Sequence, residues 1–503
     1  MLDYLVQGLT IALSFQNLLF MLFGTVLGLV FAAIPGLTFS TALILLIPLT
    51  FGLEAVPAIS VLLGVYAGGM SGGSISAILL GIPGTPSAAA TVIDGYAMAK
   101  KGEAGKALGM AVYASVFGGI FSLLVLMLVA PQLASVAIKF GPPEIFALVV
   151  FGLSTIVSLS GTDIVKGLLA GLFGLLLCTV GLDPVMGLQR YTFGQAGLMV
   201  GIGIMPVMIG MFALPEIIDT FLRAKKNQGL KQEEPKRDKV KAAFPSFKEM
   251  GKTFFLLIKS AAIGTGLGAI PGTGGPVASF LAYDQAKRTN PLSGTGTIEG
   301  VGAPESANNG VTGGALIPLL TLGIPGDSAT AIMLGAFLIH GLAPGPLLFQ
   351  NYGDLVYAIF ISILIIYIMV LVIQFYGIRL FVKVLDFPKV NLMVVILAVS
   401  VIGAFAINLN FSDVIIMFFS GVLGYLMKRF DFPVTPLILA LVLGYSIEDN
   451  FRKSLVFSGG SLDIFIKKPV SLVFLTLAMI ILVAPFLRPW LEKRFRLKKK
   501  ALS

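Results

Sequence analysis

The residues with chemistry to offer gather at four Pro-Gly pairs: Pro35-Gly36, Pro83-Gly84, Pro271-Gly272 and Pro325-Gly326. Proline removes a backbone donor and clashes with the preceding turn, so each pair breaks a helix. Inside a membrane, the backbone groups freed there need partners from protein or from a watery cavity. Two of the breaks are followed by good helix starts, Thr85-Pro86-Ser87 and Asp327-Ser328. Ser, Thr and Asp cap helix N-termini, which carry unpaired N–H groups and partial positive charge. Two such termini meeting near the middle of a membrane would form an anion site without a buried Arg or Lys. The candidate substrate-binding residues are therefore Gly36, Gly84, Thr85, Ser87, Gly272, Thr273, Gly326 and Ser328, with Thr91 a turn or more further inside. The plainer alternative is that the prolines kink helices and the glycines let them pack closely.

A second polar cluster runs from Glu299 to Gly310 and includes Glu305, Ser306, Asn308 and Asn309 at the head of an apolar run. A carboxylate and two amides are costly to bury without partners. Either this is a loop outside the membrane, or Glu305, Asn308 and Asn309 are oxygen ligands for a coupling cation or donors to substrate, because hard cations prefer oxygen. Asp94 is a further coupling-ion candidate, or a surface residue near Lys100; Asp284, beside Lys287 and Arg288, reads as interfacial. Asp327 reads as an N-cap, and its negative charge next to an anion site calls for a bound cation or proton to neutralise it.

These residues are positioned by elements that only a membrane protein would have. The chain has 503 residues, of which 56% are hydrophobic and 12% charged, with a mean hydropathy of +0.96. Soluble domains carry about 25% charged residues, so a soluble enzyme is excluded. At about 20 apolar residues per span, the chain accommodates roughly a dozen crossings. Seven apolar stretches precede a charged break at residues 223 to 252 and nine follow it, several of them short or interrupted by Gly and Pro. The expected organisation is a first membrane repeat over residues 1–222, a basic cytoplasmic linker over 223–252, a second repeat with additional helices over 253–487 and a basic tail over 488–503. Met1 to Phe23 lacks a basic start and a small-residue cleavage site, and is expected to be retained rather than removed as a signal peptide.

The two halves repeat one another. Gly24-Thr25 and Leu27-Gly28 precede Ile34-Pro35-Gly36, just as Gly264-Thr265 and Leu267-Gly268 precede Ile270-Pro271-Gly272. Leu80-Gly81-Ile82-Pro83-Gly84 recurs unchanged as Leu322-Gly323-Ile324-Pro325-Gly326, with Pro-to-Pro spacings of 48 and 54 residues. Equivalent loops carry opposite charge bias: Lys100, Lys101 and Lys106 follow the first string, whereas Gly341 to Asp354 has no Lys or Arg. Of the 35 basic residues, 17 lie in two segments, Arg223 to Lys252 and Arg488 to Lys500. By the positive-inside rule these are cytoplasmic, so the +10 charge points to topology rather than to nucleic acid. The expected fold is an all-α polytopic membrane protein of about 12 transmembrane helices, in two inverted-topology repeats with re-entrant tips, the N-terminus outside and the C-terminus inside.

Cys178 and His340 are the only residues of their types, so neither a disulfide nor a His/Cys metal site can be assembled. No HExxH, GxxxxGK[ST] or DxDxDG string occurs, and one His in an uncharged stretch cannot organise a Ser-His-Asp triad. An intramembrane aspartyl protease built on Asp94 and Asp327 is a superficial match. The chain is read as a non-enzyme that needs no cofactor beyond Na+ or H+ as coupling ion.

Taken together, Ile34 to Leu37, Gly72-Gly73-Ser74, Gly81 to Ser87, Asp94-Gly95-Tyr96, Ala303 to Asn309 and Gly341 to Leu347 resemble the large membrane subunit of the bacterial tripartite tricarboxylate transporters. The resemblance spans both halves. It implies a secondary transporter of the inner membrane that imports tricarboxylates, dicarboxylates or related organic anions on a Na+ or H+ gradient. It also implies two partners, a small membrane subunit of about four helices and a periplasmic solute-binding protein. The second Pro-Gly string departs from the first in placing Asp327 where Thr85 stands. The expected mechanism is alternating access, in which a domain bearing the tips moves against a scaffold; an anion channel and a non-transporting scaffold are the rival classes. The charge bias predicts that reporter fusions at residues 100 to 106 and at 341 to 354 lie on opposite sides of the membrane; the same side for both would contradict inverted repeats.

Overall fold

The computed structural model describes residues 2–35, 37–159, 163–183, 187–226, 242–384 and 389–500. Apart from a two-residue antiparallel ladder, β1 (Gly181–Leu182) with β2 (Gln189–Arg190), its regular structure is helical. The first half holds α1 (Leu2–Ala12), α2 (Phe15–Ala33), α3 (Phe39–Leu46), α4 (Ala55–Leu80), α5 (Ala89–Lys100) and α6 (Ala104–Ala137). After α7 (Pro142–Leu159), α8 (Ile164–Cys178) and α9 (Ile204–Lys226) comes a second series: α10 (Phe247–Gly268), α11 (Gly274–Thr289), α12 (Ile298–Leu322) and α13 (Ser328–Ile339). The chain ends with α14 (Pro346–Asn351), α15 (Gly353–Tyr376), α16 (Ile378–Val384), α17 (Lys389–Asn408), α18 (Phe411–Arg429), α19 (Val434–Phe457), α20 (Ile464–Lys467) and α21 (Pro469–Lys500). Among the described residues, eight helices are long and apolar enough to cross a membrane and five apolar ones are shorter. The chain is thus an all-helical, multi-pass membrane protein.

Two compact units are recognisable. One comprises Met1–Ile138 with Met208–Tyr425, the other Lys139–Val207 with Leu426–Ser503. The second unit is held partly by charge: Arg190 pairs with Glu448 at 2.6 Å, and Arg452 pairs with Asp183 at 2.8 Å and with Glu448 at 2.6 Å. Nearby, Phe451 of the helix that carries Glu448 and Arg452 stacks on Phe465, and Phe146 lies tilted against both rings. All the candidate residues at the Pro-Gly breaks lie in the first unit.

The centre of the first unit is α4 and α12, buried from Pro57 to Ile78 and from Ile298 to Thr321 respectively. Small residues bring each against a neighbour at backbone distance. A side chain at Gly24 or Gly28 of α2 would strike the backbone of Val61 or Val65, and one at Gly64 or Gly68 would strike the backbone of α2 around Thr25. The second half repeats this arrangement: Gly264 and Gly268 face the backbone of Ala307 and Val311, while Gly310 and Gly314 face Ala261 and Thr265. In both, a threonine hydroxyl donates to the carbonyl one turn back, Thr25 to Met21 at 2.6 Å and Thr265 to Ala261 at 2.8 Å. This is the small-xxx-small packing that serves where lipid offers no hydrophobic drive between helices.

The order of these contacts fixes direction. Residues 24 and 28 of α2 meet 61 and 65 of α4, so the two helices run the same way and the chain returns between them through α3. The same holds for α10 and α12, with α11 as the return. Gly81 ends α4 at φ +67° and Gly323 ends α12 at φ +70°, left-handed positions that glycine accepts without a Cβ penalty. The chain then doubles back, so that Gly84 lies against the Ala32 carbonyl and donates its N–H to Gly73 at 3.3 Å. Gly326 lies likewise against Gly268, and its carbonyl accepts from the Gly272 N–H at 2.8 Å. From there α5 runs along α4, with Thr85 beside Gly73 and Tyr96 beside Gly81. It runs against α12, with Thr91 bonded to Glu305 and Asp94 beside Gly300.

Outside the spans, the Ser246 cap and Lys106 both engage Glu249, at 2.8 Å and 2.5 Å, and together hold its carboxyl down to about 2. The Ala243 N–H also donates to Gly105 at 2.9 Å, so the segment entering α10 is fastened to the start of α6.

Candidate functional site

The first tip is open chemically. Thr85 has extended backbone and Pro86 begins a short 3-10 turn that leads into α5. Thr85 and Ser87 are buried, at 2% and 6% exposure, yet Thr85 makes no capping bond and its hydroxyl has no partner. Opposite stands Asn308 of α12. Its amide NH2 donates to the Met70 carbonyl at 2.7 Å, while its Oδ1 is buried and unpartnered. Gly275, at the start of α11, completes the wall: a Cβ there would fall on Ser87 Oγ and Asn308 Oδ1 together. A buried polar atom without a partner costs about 1–3 kcal/mol; Asn308 Oδ1 is one such atom, beside Ser87 and Gly275, and Thr85 Oγ1 is another, lying against Gly73 of α4.

The second tip is closed. Asp327 accepts the Thr330 N–H at 2.8 Å, and the Thr330 hydroxyl accepts the Asp327 N–H at 2.9 Å, a reciprocal cap that uses the donors of the α13 terminus. Its other oxygen accepts the Tyr66 hydroxyl at 2.7 Å. Ser328 is half-buried beside it. The Thr273 hydroxyl donates to the carbonyls of Leu267 and Ile270, satisfying the broken end of α10 rather than facing a ligand. Gly36 lies outside the described residues. The structure therefore brings Ser87 and Asn308 together at Gly275, sets Thr85 against Gly73, and places Gly84, Gly272 and Gly326 in the packing that supports the breaks.

Glu305 lies one turn from Asn308 and is fully buried in α12. Oε1 accepts the Thr91 hydroxyl at 2.6 Å and Oε2 the Ser115 hydroxyl at 3.2 Å. Among the described residues no Lys, Arg or His pairs with it. Asn309 donates to the Glu305 carbonyl at 3.1 Å and leaves its Oδ1 unpartnered; its own carbonyl receives the hydroxyls of Ser122 at 3.5 Å and Tyr367 at 3.4 Å. The segment from Glu299 to Gly310 is thus buried helix rather than an external loop. Among the described residues no three His, Cys, Asp or Glu side chains converge, so a cation here would be met by hydroxyl and amide oxygens and one carboxylate.

Asp94 is buried rather than at the surface. Its oxygens accept the Tyr283 hydroxyl at 2.8 Å and the N–H groups of Gly294 at 2.8 Å, Gly296 at 2.7 Å and Thr297 at 2.7 Å. With four close donors already on it, this carboxylate is a socket for the loop before α12. Asp284 is exposed and bonded to Arg288 at 2.9 Å. Sequence reasoning missed Tyr66, Ser115, Gly275 and Tyr283. Only Tyr66 had a signal, a lone hydroxyl-bearing ring in a long apolar run.

A bundle of broken, glycine-packed helices enclosing unpartnered polar groups defines a multi-pass membrane protein with a polar interior. The chain belongs to the tripartite tricarboxylate transporter TctA family, whose model matches residues 18–439 and so includes every residue of the site. It is 36% identical over 498 residues to an uncharacterized 52.8 kDa protein of the TAR-I ttuC' 3'region of Agrobacterium vitis, covering 97% of each chain. It is also 36% identical over 234 residues to an uncharacterized protein of the TAR-II ttuC' 3'region of the same organism, covering 46% of this chain and 97% of the relative. No solved structure matches.

Gly275→Ala should leave insertion and melting temperature near those of the native chain while reducing carboxylate uptake at least about tenfold, because misplacement at a positioned site is that costly. Gly266→Ala, where a Cβ meets nothing within 4 Å, should transport normally. Equal uptake by both variants would remove the Gly275 wall from the site.

Proposed function

We propose that this chain is the transporting subunit of a secondary importer of tri- and dicarboxylates or related organic anions, working by alternating access. Glu305 carries the proposal: a fully buried carboxylate held only by two hydroxyls, one turn from the unpartnered oxygen of Asn308. An uncompensated charge in this position is costly in low dielectric, and Glu305 is relieved of it by a proton or by a metal cation. The substrate's carboxylate then enters beside Thr85 and Ser87, whose hydroxyls donate to it, with the N-terminal end of α5 behind them. Asn308 Oδ1 faces either a substrate hydroxyl or the cation. Binding anion and cation together lets the pair cross with less net charge than either alone.

The two halves act as inverted-topology repeats. Matching glycine contacts in α2 with α4 and α10 with α12, the run of α5 along α4 and against α12, and the opposite loop charges support this reading. The chain sits in the bacterial inner membrane with its N-terminus periplasmic and its C-terminus cytoplasmic. A small four-helix membrane subunit completes the membrane part, and a periplasmic solute-binding protein delivers the ligand, as the tripartite family name supports.

The test is uptake of radiolabelled citrate and a panel of di- and monocarboxylates into proteoliposomes that contain this chain and both companion subunits, under imposed Na+ and H+ gradients in turn. The expected result is uptake that requires one of the two gradients and loses that requirement in Glu305→Gln. Flux that ignores both gradients in the native chain would place it among channels, and an unchanged ion dependence in Glu305→Gln would remove Glu305 from coupling.

A further inference from the structure

The 3-10 turn at Pro86–Ala88 and the helix α5 that follows it meet the second half at three levels, through Ser87 in the turn and through Thr91 and Asp94, one turn apart on α5. Ser87 stands with Asn308 at the open site. Thr91, with no exposed surface, donates to Glu305 Oε1 at 2.6 Å. Asp94 is seated in its socket of backbone N–H groups between Gly294 and Thr297. The socket is the fixed end, because freeing Asp94 would strand three N–H groups at once. Ser87 is the free end, because the Asn308 Oδ1 beside it has no partner. Between them stands Thr91, attached to the one group whose charge must change with the coupling ion.

Resting on the reading above that Glu305 binds the coupling ion, we propose that Thr91 is the positioning residue that couples Glu305 to the substrate site. Its hydroxyl donates to an ionised carboxylate in a charge-assisted bond about twice as strong as a neutral one. When Glu305 takes up a proton or a cation, that bond weakens or reverses, and α5 is released to turn about Asp94. Ser87 lies four residues earlier, in the 3-10 turn that leads directly into α5, so its hydroxyl shifts relative to Asn308. Ion occupancy thereby sets how the substrate is held, without any contact between Thr91 and substrate. Ser115 holds the other oxygen of Glu305 from α6 and keeps the carboxylate in place as α5 moves.

The experiment compares native chain, Thr91→Val and Thr91→Ser, each reconstituted with both companion subunits, using radiolabelled citrate as probe. Two rates are read: citrate exchange at equal concentrations with no gradient, and accumulation driven by the gradient that the native chain uses. Thr91→Val keeps the shape and removes the donor. Gradient-driven accumulation should fall at least about tenfold, the worth of a hydrogen bond to a charged group, while exchange falls much less. Thr91→Ser, which keeps the hydroxyl, should restore coupling. Equal proportional losses of both rates in Thr91→Val, no loss in either, or uncoupling in Thr91→Ser would overturn the role of Thr91. A native chain whose citrate uptake ignores both gradients would instead sink the reading on which the proposal rests.

Discussion

Hydrocarbon offers no partner to a broken backbone, and this constraint organises the first unit. The Pro-Gly breaks at Pro83, Pro271 and Pro325 free N–H and C=O groups inside a bundle of apolar helices, so each must be met by protein. Glycine meets that demand by letting backbones touch. Gly84 reaches the Ala32 carbonyl, and Gly272 donates to Gly326, only because α2 lies on α4 and α10 on α12 with no side chains between them. A larger residue at Gly24, Gly28, Gly264 or Gly268 would separate the helices and strand the breaks. The high glycine content, 59 residues in 503, is thus part of how a polar interior is built in an apolar solvent.

The repeated scaffold supports tips with different chemistry. Thr85 and Asp327 occupy equivalent places, but the threonine is left without a partner whereas the aspartate is saturated by Thr330 and Tyr66. Gly275 and Phe39 are also equivalent when the two Ile-Pro-Gly strings are aligned. The glycine lets Ser87 and Asn308 close in against the α11 backbone; the phenylalanine ring is buried, lies against Gly69 and stands 6.1 Å from the Tyr66 ring. The two ends of the pseudo-symmetric pair are therefore lined differently, one with an aromatic ring and a saturated carboxylate, the other with unpartnered polar atoms. The proposed anion site, with one tip, one amide and one carboxylate a turn from the amide, rests on that inequality.

Much of this was legible in the sequence because it is local. The Pro-Gly strings gave the breaks, the Gly-Thr and Leu-Gly pairs gave the close-packed helix faces, and the substitution of Asp327 for Thr85 already separated the two tips. The charged and amide residues from Glu299 to Gly310 could be read either as loop or as membrane interior, since hydropathy cannot distinguish a polar loop from a polar helix buried on every side. What remained hidden depends on distant partners. Asp94 is decided by donors some 190 to 200 residues away. Gly275 matters only because Ser87 and Asn308 arrive opposite it from separate elements. The two compact units draw on both halves of the chain, since helices far apart in sequence share one buried interface.

The central claim is that the first tip is a single site presented to each side of the membrane in turn. It is tested most directly by Thr85→Cys in a Cys178→Ser background, which is otherwise free of cysteine. The cysteine is probed with a membrane-impermeant thiol reagent from either side, with and without carboxylate and coupling ion. The account predicts that the side from which the cysteine reacts changes when carboxylate and ion are present together. Reaction from one side only, whatever is bound, would contradict it.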